Sequence, residues 1–97
     1  MTRIAETDAT PQARIKRMAM RSWRRGTKEM DMILGPYADA HLAGMDEATL
    51  ETFDTLLWEN DQDLLPWVLG QATPPVALAD LIARIGRFAR NRLGPDA

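Results

Sequence analysis

The chain of 97 residues contains no cysteine. That excludes a disulfide framework, a thiolate nucleophile, iron–sulfur ligation and a cysteine zinc site. Histidine is almost as scarce, and a single imidazole, His41, leaves no basis for a histidine-rich metal centre. No apolar run approaches the roughly 18–20 residues that a membrane-spanning helix requires. The opening MTRIAETDATPQ carries two acids, lacks an apolar segment and is not arginine-rich, so it reads as neither a secretory signal nor a transit peptide. A hydrophobic content of 45 % is still enough for a folded domain. These exclusions lead us to expect one small domain with a thin core, in the bacterial cytoplasm and without membrane attachment.

Positive charge is missing from half of the chain. Residues 30 to 80 hold ten acids and no lysine or arginine. Residues 14 to 28 hold seven cations (Arg14, Lys16, Arg17, Arg21, Arg24, Arg25, Lys28) and no acid, and four arginines follow from Arg84 to Arg92. The formal net charge of −2 averages over this segregation and says little about the partner.

Strand-type alternation is absent too, and every segment carries helical periodicity. We expect a flexible tail over residues 1 to 10 and a five-helix domain over 11 to 93. Thr10-Pro11 is an N-cap with a first-turn proline, opening a helix to about Arg24. Gly26 ends it in a left-handed conformation. Thr27 caps a second helix, with Glu29 in its first turn and Met30, Ile33, Leu34, Tyr37 and His41 on one face. Pro36 offers no N–H to the Met32 carbonyl, so a kink or break is expected at Gly35-Pro36. Asp46 caps a third helix to about Trp58, burying Leu50, Phe53 and Leu57 while Glu47, Glu51 and Asp54 face outward. Asp61 caps a short fourth helix that Gly70 terminates. A fifth runs from about Pro75 to Leu93, with Leu78, Leu81, Ile82, Ile85 and Phe88 on one side and Asp80 and Arg84 at i,i+4. Short connections make this a compact all-α bundle.

Three constellations could carry function. Arg14, Arg17, Arg21, Arg24 and Lys28 line one side of the first helix and could grip phosphates or an acidic surface; the alternative is a solvated face balancing the acidic middle of the chain. Arg25-Gly26-Thr27-Lys28-Glu29 turns a corner that exposes flanking side chains for docking, or else holds a plain Arg25–Glu29 ion pair around a helix-stop glycine. Spacing leaves both readings open. Among the aromatics, Trp67 reads as core, Trp23 as a part-exposed contact candidate beside the basic stripe, and Tyr37 as either. His41 reads as a satisfied or solvent-facing ring. No nucleophile–base pair, carboxylate dyad or glycine-rich phosphate loop is present, and Glu59, Asp61 and Asp63 lack the glycine and terminal glutamate of a calcium loop. The chain is poorly equipped for catalysis.

The segment RSWRRGTKEMDMILGPYA resembles the start of the succinate dehydrogenase FAD assembly factors, the SdhE family. Its hallmark is an RGxxE motif followed by an Asp, here Arg25, Gly26, Glu29 and Asp31. A second block, LLWENDQDLLPWVLG, is similar to the family's acidic-aromatic stretch, with Asp61, Asp63, Leu64, Trp67 and Gly70 in the matching places. The resemblance spans roughly residues 14 to 92. It departs from the family pattern at Gln62, where a proline is common, and at Trp58, where a small or polar residue is commoner.

The resemblance implies a five-helix, non-catalytic assembly chaperone. Its partner would be the flavoprotein subunit of succinate dehydrogenase, in some bacteria also fumarate reductase, on which it promotes covalent FAD attachment. FAD and the accepting histidine would belong to that partner, so no cofactor is expected to stay bound here and His41 is not the acceptor. The expected contact set is Arg25, Gly26, Glu29 and Asp31, with Arg17, Arg21, Trp23 and Tyr37 around them. A monomer entering a transient heterodimer is expected. The competing reading is a small helical nucleic-acid-binding or antitoxin-like protein using the basic first helix, and a third is a direct FAD carrier.

Overall fold

The computed structural model describes residues 10–93; of the expected tail over 1 to 10, all but Thr10 lies outside the described residues. Five α-helices follow one another: α1 Pro11–Trp23, α2 Lys28–His41, α3 Glu47–Leu57, α4 Asp61–Val68 and α5 Val76–Leu93, with a 3₁₀ turn at Leu42–Gly44. The all-α, five-helix expectation is met. The helix α1 packs on α2 and α3, while α5 lies against α2, α3 and α4.

Helix boundaries follow local chemistry. The hydroxyls of Thr10 and Thr27 accept from the Ala13 and Met30 N–H groups, and the Asp46 carboxylate accepts from Thr49 N–H. Bonding from the Thr49 hydroxyl and backbone holds the Asp46 carboxyl below its ordinary range. At the end of α4, Gly70 N–H donates to the Trp67 carbonyl at 3.2 Å and Gln71 N–H to the Pro66 carbonyl at 2.8 Å, a Schellman cap.

Two boundaries depart from expectation. Asn60, not Asp61, is the N-cap of α4, because the Asp61 carboxylate is drawn away by Arg25 and Thr27. Of the kink or break expected at Gly35-Pro36, the break does not occur: α2 runs as one helix through Pro36. A helix-interior proline costs about 3 kcal/mol or more. Met30 and Leu34 before it and Tyr37 and Ala38 after it are all buried, and burying a large apolar side chain is worth about 1.5–3 kcal/mol. Core burial on both sides of the proline outweighs the lost backbone bond.

The core is built from Met18, Met30, Leu34, Leu42, Phe53, Leu56, Leu64 and Ile85 with their buried neighbours. Tyr37 is only 4 % exposed and sits in an aromatic cluster, its ring 4.5 Å from His41, 5.4 Å from Phe88 and 6.2 Å from Phe53. Burial pushes its phenol above the ordinary range. This places the Tyr37 ring in the core, not on an open contact surface. Trp67 is half-buried against the same core, and the expected Asp80–Arg84 pair forms at 2.8 Å.

Candidate partner-docking site

The junction of α1 and α2 is where chain geometry, charge and exposure converge. Gly26 adopts φ +104°, and a Cβ built there would meet no atom within 4 Å. Its requirement is therefore the left-handed backbone itself, which side chains other than glycine's adopt at a cost. Glu29 follows in the first turn of α2, exposed, where its charge suits the helix dipole.

Arg25 and Asp31, by contrast, are used inward. The Arg25 side chain is 10 % exposed, with its guanidinium 2.8 Å from Asp61 Oδ1. Its Nε also donates to Asp61 at 2.9 Å, and its two terminal nitrogens donate to the Leu57 and Glu59 carbonyls. Asp31 accepts from the Arg25 backbone N–H at 2.6 Å, and the Thr27 hydroxyl reaches Asp61 at 3.3 Å. The guanidinium fork thus satisfies the end of α3, the α3–α4 turn and the first residue of α4 at once. The Arg25–Glu29 pairing is not the one formed; Arg25 turns to Asp61, and Glu29 is left on the surface.

Trp23 is part-exposed as expected, at 38 %. Its ring is seated on Gly35: a Cβ on that glycine would come within 2.3 Å of the ring. The indole N–H donates to Asp39 at 3.1 Å, so Trp23 fastens α1 to α2 just before the corner. Arg21 pairs with Asp54 at 2.9 Å and lies 4.5 Å from the Trp58 ring centroid. Arg14 pairs with Glu47 at 2.8 Å, and Arg17 is exposed. The basic stripe is therefore partly interleaved with acids from α3. A phosphate backbone approaching it would meet carboxylates beside the arginines, which weakens the nucleic-acid reading.

Of the expected contact set, Gly26, Glu29, Arg17 and Trp23 are surface residues around one corner, Arg21 is half-buried beside it, and Arg25 and Asp31 hold it from within. Tyr37 lies apart in the core. Sequence reasoning gave Asp61 a capping role and missed its tie to Arg25. The available signal was an arginine in an acid-free stretch that needed its carboxylate from elsewhere in the chain. The Trp23–Gly35 seat left no comparable local signal. Among the described residues, no group of three or more His, Cys, Asp or Glu side chains could hold a metal ion, and no helix is long and apolar enough to cross a membrane.

Residues 16–89 match the family described as flavinator of succinate dehydrogenase. The chain belongs to that family. It is 38 % identical over 63 residues to the FAD assembly factor SdhE of Haemophilus ducreyi, covering 64 % of this chain and 77 % of that protein. To the FAD assembly factor SdhE of Legionella pneumophila strain Lens it is 32 % identical over 68 residues, covering 70 % and 81 % respectively. A mitochondrial succinate dehydrogenase assembly factor 2 from Cryptococcus neoformans is 31 % identical over 93 residues, which are 94 % of this chain but 51 % of that longer protein. The flavinator match begins in α1 and ends in α5, so it takes in the corner, its clasp to Asp61 and the Trp23 seat.

Proposed function

We propose that this flavinator-family chain is a non-catalytic assembly factor that docks its Gly26–Glu29 corner on the flavoprotein subunit of succinate dehydrogenase. It holds that subunit in the conformation in which FAD becomes covalently attached. The observation that carries the reading is the division of labour within the motif: Arg25 and Asp31 fix the corner from inside, while Gly26 and Glu29 are left on its surface. A rigid corner with an open backbone suits a docking element, because little side-chain or loop freedom is lost on binding. In this reading FAD and its acceptor histidine belong to the partner, the complex is a transient heterodimer, and the setting is the bacterial cytoplasm. The expectation of fumarate reductase as a further client rests on resemblance alone.

In a strain deleted for this protein, in-gel flavin fluorescence of the succinate dehydrogenase flavoprotein should fall strongly. The wild-type gene should restore it and a Glu29→Ala gene should not. Undiminished fluorescence in the deletion strain would contradict the proposal.

A further inference from the structure

Beside the corner, α1 with the two residues after it and the end of α3 with Trp58 line a groove of about 370 Å³. Its floor is apolar: Met20, Leu57 and Trp58. Trp58 is 76 % exposed and Met20 43 %, an unusual outlay of large apolar surface for so small a domain. The Trp58 ring is held in place, since the Arg21 guanidinium lies 4.5 Å from its centroid and is itself tied to Asp54 at 2.9 Å. The rim is cationic, with Arg17, Arg21 and Arg24 lining the groove and no acid among its described lining residues.

We propose that this groove receives an acidic segment of the partner flavoprotein, with one apolar side chain of that segment seated against Trp58. The inference rests on the docking role proposed for the corner. It adds a second, chemically distinct contact beside the first, because Arg25, which fixes the corner from within, also lines the groove. Charge complementarity selects the occupant. Carboxylates complement the arginine rim, whereas a basic segment would be repelled. The apolar floor favours a peptide over a phosphate backbone. A tryptophan held in place and covered on binding is the kind of residue that dominates binding energy at such interfaces.

The test uses the full chain with p-benzoylphenylalanine in place of Trp58 or, separately, of Glu29, irradiated with the succinate dehydrogenase flavoprotein subunit and mapped by mass spectrometry. Position 58 should cross-link to a flavoprotein peptide in which Asp or Glu flanks an apolar residue. Trp58→Ala, a surface change that leaves the helical circular dichroism intact, should weaken binding about tenfold. The groove proposal is overturned, and the corner reading kept, if position 29 cross-links while position 58 does not. The same holds if position 58 maps to a peptide without acids, to nucleic acid or to a second copy of this chain, or if Trp58→Ala binds within twofold of wild type. Failure of both positions to reach the flavoprotein overturns both.

Discussion

The Arg25 side chain, 10 % exposed, bonds to Asp61, itself 17 % exposed, and to two backbone carbonyls. Removing the guanidinium in Arg25→Ala strands them together. The expected cost is about 2–4 kcal/mol, read as a fall in Tm of roughly 10 °C or more. Arg25→Lys should recover only part of it, because an ammonium cannot span three acceptors as the planar fork does. A variant melting with the wild type would mean that the clasp is idle. The sequence marks Arg25 as important but leaves its direction open. Glu29 lies four residues away and Asp61 thirty-six, and the choice between them depends on where α3 ends against α1. Gly26 was legible from its place after a helix, and φ +104° bears that out.

At the level of elements, helix starts were legible wherever a short polar side chain precedes a periodic run, as at Thr10, Thr27 and Asp46. They were misread where a tertiary partner competes for that side chain, as at Asp61. Continuity of α2 through Pro36 was hidden for a similar reason, since the compensation lies in core contacts that a local pattern does not contain. The seat of Trp23 on Gly35 sets how closely α1 and α2 approach, and it predicts a reversal of sign. Gly35→Ala in the wild-type chain places a methyl within 2.3 Å of the indole and should destabilise by about 1–3 kcal/mol. In a Trp23→Ala background the same change should stabilise, by about 0.5–1 kcal/mol, since alanine is the better helix former. Urea denaturation of the four proteins measures both, and a Gly35→Ala effect of equal sign in both backgrounds would contradict the seat.

Across the whole molecule, the segregated charges of the sequence become a pattern of partners. Arg14 with Glu47 and Arg21 with Asp54 join α1 to α3 through pairs of the same separation, 33 residues, so the two helices run parallel where they touch. Exposed pairs of this kind contribute little stability, but they draw part of the basic stripe into the fold and leave the corner and its groove as the distinctive surface. The fold class was legible because each helix carries its own apolar face; the pairing of α1 with α3 was not, because it joins residues 33 positions apart. The central claim is that Glu29 serves the partner and not the fold. Titration calorimetry of the purified chain with the apo flavoprotein subunit of succinate dehydrogenase, wild type against Glu29→Ala, tests it most directly. The account predicts binding weakened by about tenfold or more, with Tm lowered by no more than a few degrees. Wild-type affinity in Glu29→Ala, with the fold intact, would contradict it.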